Sequence, residues 1–191
     1  MNHIDNVIET DGALILGAGI AGLVTALKLA PFPALVLAGS RPGTSGSSAW
    51  AQGGIAAAVG EGDDWRSHAA DTMAAGAGLC DPQIVDLVAR EAPERIADLV
   101  GYGVPFDRKP DGSLALGREA AHSLPRIVHV KGDGAGAAIS ATLAARAGEQ
   151  GCITLDGILH SLQTMTAEVV VDPAVSARAR VAIERMLAIK A

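Results

Sequence analysis

The chain has 191 residues, which is room for one domain with its own hydrophobic core. Apolar residues make up 49% of it, so its composition excludes an intrinsically disordered protein. The net charge of −6 argues against a nucleic-acid-binding protein, whose contact surface would be basic. The sequence has no long apolar run and no basic leader, so we expect no membrane span, no signal peptide and a cytoplasmic location. Cys80 and Cys152 lack the spacing of metal ligands, which predicts reduced thiols and no metal site.

The first elements in chain order predict a strand, a glycine turn, a helix and a second strand. The apolar run 13–16 is typical of a buried parallel strand, and 23–30 has the apolar spacing of a helix. Residues 34–37 predict the second strand. The segment 39–62 is rich in small polar residues and predicts a long loop, of a kind that often carries function.

The middle of the chain and its tail predict mainly helices. Asp64 or Ser67 is expected to cap a helix that ends near residue 75, and Asp81 followed by Pro82 marks the start of another. The remaining expected elements are the end of that second helix at Gly101 or Gly103, turns over 104–118, a strand over 127–130, and helices over 137–147, over 155–165 and after Asp172-Pro173.

Three glycines form a G-x-G-x-x-G motif directly after the first predicted strand. Gly17 makes the tight turn, Gly19 lets a pyrophosphate approach the backbone, and Gly22 lets the helix pack closely on the strand. The N-terminus of the following helix offers free N–H groups to phosphates. The motif predicts a dinucleotide site, although Ser40 stands near the end of the second strand where such sites usually have an acidic residue.

A second motif, over residues 47–57, lies inside the predicted loop. It reads S-S-A-W-A-Q-G-G-I-A-A. Its paired glycines let a flat ring lie against the main chain, and its hydroxyl and amide groups can bond to ring heteroatoms. The residues alone therefore predict a loop that contacts a ligand.

This motif resembles the flavin-binding segment of the succinate dehydrogenase and fumarate reductase flavoprotein superfamily, and within it the L-aspartate oxidase family. Other segments of the chain resemble that family as well. They are 68–72, 75–78, 102–107, 117–123, 126–129 and 132–136. The resemblance covers about residues 7 to 147.

The resemblance implies an FAD-dependent oxidoreductase that converts L-aspartate to iminoaspartate for quinolinate and NAD biosynthesis. Oxygen or fumarate would then reoxidise a non-covalently bound flavin. The residues implied to hold the adenosine diphosphate part of FAD are Gly17, Gly19, Gly22 and Ser40, and those implied to line the flavin are Ser47, Ser48, Gln52, Gly53 and Gly54. Glu119 matches the glutamate that faces the substrate and can hold its α-ammonium group. His122 is assigned as a second catalytic residue, and His129 is a further candidate for a role in the site.

The tail has a different likeness. Residues 153–191 resemble the C-terminus of quinolinate synthase, whose cluster-binding cysteines are not matched here. We therefore expect a partial Rossmann-like α/β FAD-binding domain over 1–147, lacking the capping domain of the family, and a short helical tail over 153–191. The two parts would be joined near residues 147–153.

Two other functions stay open at this point. The chain could be a non-catalytic remnant or fusion that at most binds nucleotide and associates with itself through exposed apolar surface. It could also be a small NAD(P)-binding reductase, which the missing acidic residue and the flavin-type loop disfavour.

Overall fold

The computed structural model describes residues 10–44 and 46–155. Their contacts divide into two compact units, one comprising the residues up to Ser48 and from Ser140 onward, the other Ala49–Ile139. None of the helices in the described ranges is long and apolar enough to cross a membrane.

The first unit contains a parallel sheet of three strands. They are β1 (Ala13–Leu16), β2 (Ala34–Leu37) and β6 (Ile153–Leu155), in the order β1-β2-β6. Every residue of β2 is buried, as expected for a central strand with covered faces. Helix α1 (Ile20–Leu29) connects β1 to β2 and contributes Leu23 and Ala26, both fully buried, to the core. The described residues thus confirm the predicted strand–turn–helix–strand unit and the α/β fold class.

The second unit combines an antiparallel sheet with two helices. The strands β3 (Gly54–Ala56), β4 (Leu116–Gly117) and β5 (Ile127–His129) lie in the order β3-β5-β4. Helix α3 (Trp65–Ala75) begins after Asp64, whose carboxylate accepts hydrogen bonds from two backbone N–H groups of the first turn. Helix α4 (Pro82–Tyr102) is capped in the same way by Asp81 and ends at Gly103, which has a left-handed backbone. The predicted caps at residues 64 and 81 are therefore confirmed.

Two sequence-based expectations for the middle of the chain were wrong in part. The segment 39–62 is not a continuous loop, because it contains α2 (Ser47–Trp50) and β3. Strand β3 forms by pairing with β5, in which Gly54 lies opposite His129, and a partner so distant in sequence leaves no local signal. Strand β4 interrupts the turns expected over 104–118 for the same reason.

The end of the described chain also differs from expectation. The helix predicted to begin at Leu155 does not begin there, since Ile153–Leu155 forms β6 against the edge of β2. Helix α5 (Ala135–Glu149) is longer than the predicted 137–147. The other predicted tail elements lie outside the described residues.

Candidate functional site

The glycine turn after β1 has the geometry that its spacing predicts. Gly17 has a φ of +104°, in the left-handed region that favours glycine. Its N–H donates to the Leu37 carbonyl at 2.8 Å, which fixes the turn at the carboxyl ends of β1 and β2. A Cβ on Gly22 would lie 2.0 Å from the Gly17 carbonyl oxygen, so helix α1 packs against the turn at a distance that only glycine permits.

The N-terminus of α1 is open beside this turn. Gly19 is the N-cap and has no side chain to bond the first N–H groups. The Ser48 hydroxyl comes nearest, accepting from the Ile20 N–H over a long 3.4 Å. The partial positive charge of the helix therefore faces a site where phosphate oxygens can be bound.

A cleft with a volume of about 170 Å³ adjoins the open helix end, within the first unit. The residues that line it are Ala18, Gly19, Ala38, Gly39, Ser40, Arg41, Pro42, Gly46, Ser47 and Ser48. The structure thus brings Gly19, Ser40, Ser47 and Ser48 of the predicted site to one cleft, while Gly17 and Gly22 shape the turn at its edge. A glycine cradle, an uncapped helix end and small polar walls fit the adenosine diphosphate part of a dinucleotide.

The remaining predicted ligand contacts lie in the second unit. Gln52 is exposed, and Gly53 has a φ of +73° directly before β3. A Cβ on Gly53 would lie 3.9 Å from the Glu119 carboxylate, so two residues singled out by separate motifs are neighbours. Gly54 has a structural reason for being glycine, because a Cβ there would lie 2.3 Å from the Val128 carbonyl oxygen.

His122 follows Glu119 in the same turn, in which the His122 N–H donates to the Glu119 carbonyl at 3.0 Å. Its ring lies edge-on to the ring of His68, with centroids 5.6 Å apart. The Nδ1 atoms of both rings are buried without a hydrogen-bond partner in the described residues. Burial, followed by the charges of Arg126 and His122, lowers the pKa of His68 below 6.5.

Arg126 holds this region together through buried ion pairs, a role that the family motif alone did not indicate. Its side chain is fully buried and donates to Asp63 through Nε and Nη2, at 3.0 and 2.9 Å, and to Asp71 through Nη1 at 2.8 Å. Asp71 also accepts hydrogen bonds from the backbone and the hydroxyl of Ser123, which lower the pKa of Asp71. The segment between Glu119 and β5 is therefore held to α3.

The backbone of Arg126 connects the same region to the sheet. Its carbonyl accepts from the Ala57 N–H at 2.9 Å, just beyond β3, and its N–H donates to the Gly117 carbonyl at 3.0 Å, just before Glu119. One buried residue thus links the segment that carries Gly53 and Gly54 to the segment that carries Glu119.

His129 is paired with a carboxylate of the preceding turn. Its Nδ1 lies 2.8 Å from Asp107 Oδ2. Backbone N–H groups, Lys131 first, together with the His129 hydrogen bond lower the pKa of Asp107. This pairing connects β5 to the preceding turn, so the structure shows a structural role for His129.

The chain matches the family model of the FAD binding domain over residues 12–184. This match extends into the tail, so the likeness of 153–191 to quinolinate synthase stays a prediction.

Curated relatives agree with this match. The chain is 55% identical to an L-aspartate oxidase of Caulobacter vibrioides over 141 residues, which are 72% of this chain and 28% of the relative. It is 48% identical to an L-aspartate oxidase of Mesorhizobium japonicum over 155 residues, 81% of this chain and 30% of the relative. The chain thus spans less than a third of the length of these relatives.

A solved structure shows the same fold. The Mycobacterium smegmatis Sdh1 complex superposes with a TM-score of 0.67 at 31% identity, over 76% of this chain and 27% of that one.

Proposed function

Because the chain belongs to the FAD-binding domain family, we propose that it forms the nucleotide- and flavin-binding part of an L-aspartate oxidase. FAD is the cofactor of this family, and the glycine turn and cleft of the first unit have the shape and polarity to hold its adenosine diphosphate part. The proposed reaction oxidises L-aspartate to iminoaspartate, the first step towards quinolinate and NAD.

The observation that carries the proposal is the proximity of Gly53 and Glu119. The A-Q-G-G segment is the proposed flavin contact, and Glu119 is the proposed substrate contact. A substrate must lie against the ring that oxidises it, so both contacts belong at one place, and a Cβ on Gly53 would lie 3.9 Å from Glu119 Oε1. The exposed Glu119 carboxylate is accessible to a substrate ammonium group.

The chemistry needs a hydride from Cα of L-aspartate and one proton from its α-ammonium group. FAD, when bound, supplies the two-electron acceptor, which oxygen or fumarate can later reoxidise. Glu119 would bind the α-ammonium group and fix which face of Cα is presented. His122, in the same turn as Glu119, would be the second catalytic residue. Gln52 and Gly54 would complete the surroundings of the flavin, while Ser47 and Ser48 line the cleft of the first unit.

The domain division is part of the same proposal. Residues 1–147 would form the FAD-binding domain, and 153–191 a tail whose first residues, strand β6 (Ile153–Leu155), add a third strand to the parallel sheet of that domain. The substrate is a small molecule, and we place the reaction in the cytoplasm.

An anaerobic titration tests the proposed reaction. The FAD-loaded chain should lose its visible flavin absorption on addition of L-aspartate and keep it with D-aspartate. Glu119→Gln should raise the L-aspartate concentration needed by about tenfold or more, the worth of one ionic hydrogen bond. Glu61→Gln removes an equally exposed carboxylate elsewhere and is the matched control.

Two results would overturn the proposal. A chain that holds FAD but keeps its flavin colour with L-aspartate is a cofactor-binding module without this activity. Equal effects of Glu119→Gln and Glu61→Gln would remove Glu119 from the substrate site.

A further inference from the structure

The ring of His122 has one nitrogen in the protein interior and one at its accessible edge. Its Nδ1 is buried and has no hydrogen-bond partner among the described residues. The residue as a whole is only half-buried, and its Nε2 is not one of the buried unpartnered atoms. A ligand can therefore reach the ring of His122 through Nε2.

The burial of Nδ1 decides which nitrogen of the neutral ring carries the proton. A neutral imidazole has one N–H donor and one lone pair. A buried N–H without an acceptor is costly, and such orphaned donors are rarer than under-satisfied acceptors. The neutral His122 ring therefore carries its proton on Nε2. At its accessible edge it is a hydrogen-bond donor, with no lone pair there to accept a proton.

The turn that carries His122 is held from three directions. Arg118 Nε donates to the His122 carbonyl at 3.0 Å. The next residue, Ser123, donates from its backbone and its hydroxyl to Asp71 on α3. The ring of His68, which is only 6% exposed, packs edge-on to the ring of His122. These contacts set the orientation of the His122 ring before a ligand binds.

His129 provides an internal reference with the opposite arrangement. Its Nδ1 lies 2.8 Å from Asp107 Oδ2. Hydrogen bonds, that of the Lys131 N–H first, keep the pKa of Asp107 low, so its carboxylate is ionised and acts as an acceptor. His129 must therefore carry a proton on Nδ1, whereas neutral His122 carries its proton on Nε2.

We propose that His122 donates a hydrogen bond from Nε2 to a carboxylate of the substrate and does not serve as its base. This inference rests on the proposed function. Glu119 would bind the ammonium group and His122 a carboxylate, from one turn that is closed by the hydrogen bond between the His122 N–H and the Glu119 carbonyl. A negatively charged donor–acceptor pair of this kind, with a carboxylate as acceptor, is stronger than one between neutral groups.

Nitrogen-15 NMR spectra of the full chain test where the proton lies, because ring nitrogens with and without a proton differ widely in chemical shift. They are recorded at about pH 8, where an ordinary imidazole is neutral. His122, identified by the signals that His122→Gln removes, should carry its proton on Nε2, and His129 should carry one on Nδ1. A proton on Nδ1 of neutral His122 would overturn the inference. This measurement requires no turnover.

Calorimetric titration of the FAD-loaded chain with succinate tests the carboxylate contact. Succinate has the two carboxylates of L-aspartate and no ammonium group. His122→Phe should weaken its binding about tenfold, the effect of one hydrogen bond to a charged group. His122→Gln should keep the affinity, because its side-chain amide can donate an N–H. Glu119→Gln is the matched control in the same turn and should not weaken succinate binding.

The glutamine variant also separates a donor from a base, since an amide donates a hydrogen bond but does not take up a proton. His122→Gln should still lose its flavin colour with L-aspartate, whereas His122→Phe should need about tenfold more L-aspartate. A His122→Gln variant as impaired as His122→Phe would overturn the inference. Equal weakening of succinate binding by His122→Phe and Glu119→Gln would also overturn it, because the effect would then come from damage to the turn.

The proposed function fails differently. If L-aspartate reduces the FAD-loaded chain but not its His122→Gln variant, this inference is lost and the proposed function is kept. If L-aspartate fails to reduce the unaltered FAD-loaded chain, the proposed reaction is lost, while the NMR spectra and the succinate titration still decide the role of His122.

Discussion

At the scale of the single residue, the buried Arg126 is the clearest case of a side chain whose role depends on tertiary structure. It is fully buried, and Asp63, which it binds, is only 2% exposed in its side chain. Charges are rarely buried unless they are paired and hydrogen-bonded. The sequence offered Arg126 only as part of a family segment, because its partners lie 63 and 55 residues away along the chain.

Removing this guanidinium should strongly destabilise the protein. We expect Arg126→Met to lower the free energy of unfolding by about 3–5 kcal/mol, because it leaves Asp63 buried without its partner. Arg95→Met breaks partly exposed ion pairs on α4 and should cost no more than about 1 kcal/mol. Urea unfolding measures both, and equal losses would contradict the role assigned to Arg126.

His68 should titrate at an unusually low pH. Burial is the first cause of its lowered pKa, and the charges of Arg126 and His122 add to it, against the raising effects of Asp63 and Asp71. The folded state then binds protons less readily than the unfolded state. The contribution of the neutral His68 ring to stability is complete above pH 6.5 and is lost as the pH falls below that value.

An NMR titration of the histidine rings tests this expectation. The midpoint of His68 should lie below 6.5, and His68→Phe should flatten the fall in unfolding free energy between pH 7 and the lower midpoint. A midpoint at or above 6.5 would show that the ring is not buried as described.

At the scale of the element, the β1–turn–α1–β2 unit was predictable because its signals are local. The apolar runs give the strands, and the glycine spacing gives the turn. The start of α1 was placed three residues late, at Leu23 rather than Ile20, since the motif itself forms the first helical turn. Strands β3, β4 and β6 were missed because each is only two or three residues long and depends on a distant partner.

The residues of the candidate site also differ in how far the sequence alone predicts them. Gly17, Gly19 and Gly22 could be assigned from spacing, and their turn is as expected. Ser40, Ser47 and Ser48 could be named, but their meeting at one cleft needed the fold. The ion pairs of Arg126 and the His68–His122 contact had no sequence signal, because each joins residues that lie more than 50 positions apart along the chain.

Gly22→Ala tests the turn as an element. The added Cβ would lie 2.0 Å from the Gly17 carbonyl oxygen, so α1 must move away from β1. We expect a loss of about 1–3 kcal/mol in unfolding free energy, as for overpacked cores, together with a loss of FAD binding.

Gly148→Ala is the matched control, since it also lies in a helix and its added Cβ meets nothing within 4 Å. It should stabilise α5 by up to about 1 kcal/mol and leave FAD binding unchanged. Equal behaviour of the two variants would show that the close packing at Gly22 is unimportant.

At the scale of the whole molecule, the chain has a cofactor-binding fold. It spans less than a third of the length of the curated relatives that it matches. Large apolar side chains are exposed on it, including Trp50 at 80% and Leu79 at 93%. Exposed apolar surface favours association, so self-association through such residues stays a prediction of the sequence. Retention of FAD is the property on which the proposed activity depends.

The visible absorption spectrum of the purified chain, after FAD addition and gel filtration, tests that property most directly. We predict flavin bands that travel with the protein at close to one flavin per chain, and a colourless Gly22→Ala variant under the same conditions. A folded chain that emerges colourless after soaking in FAD would contradict the account, because the cleft and glycine turn would then hold no cofactor.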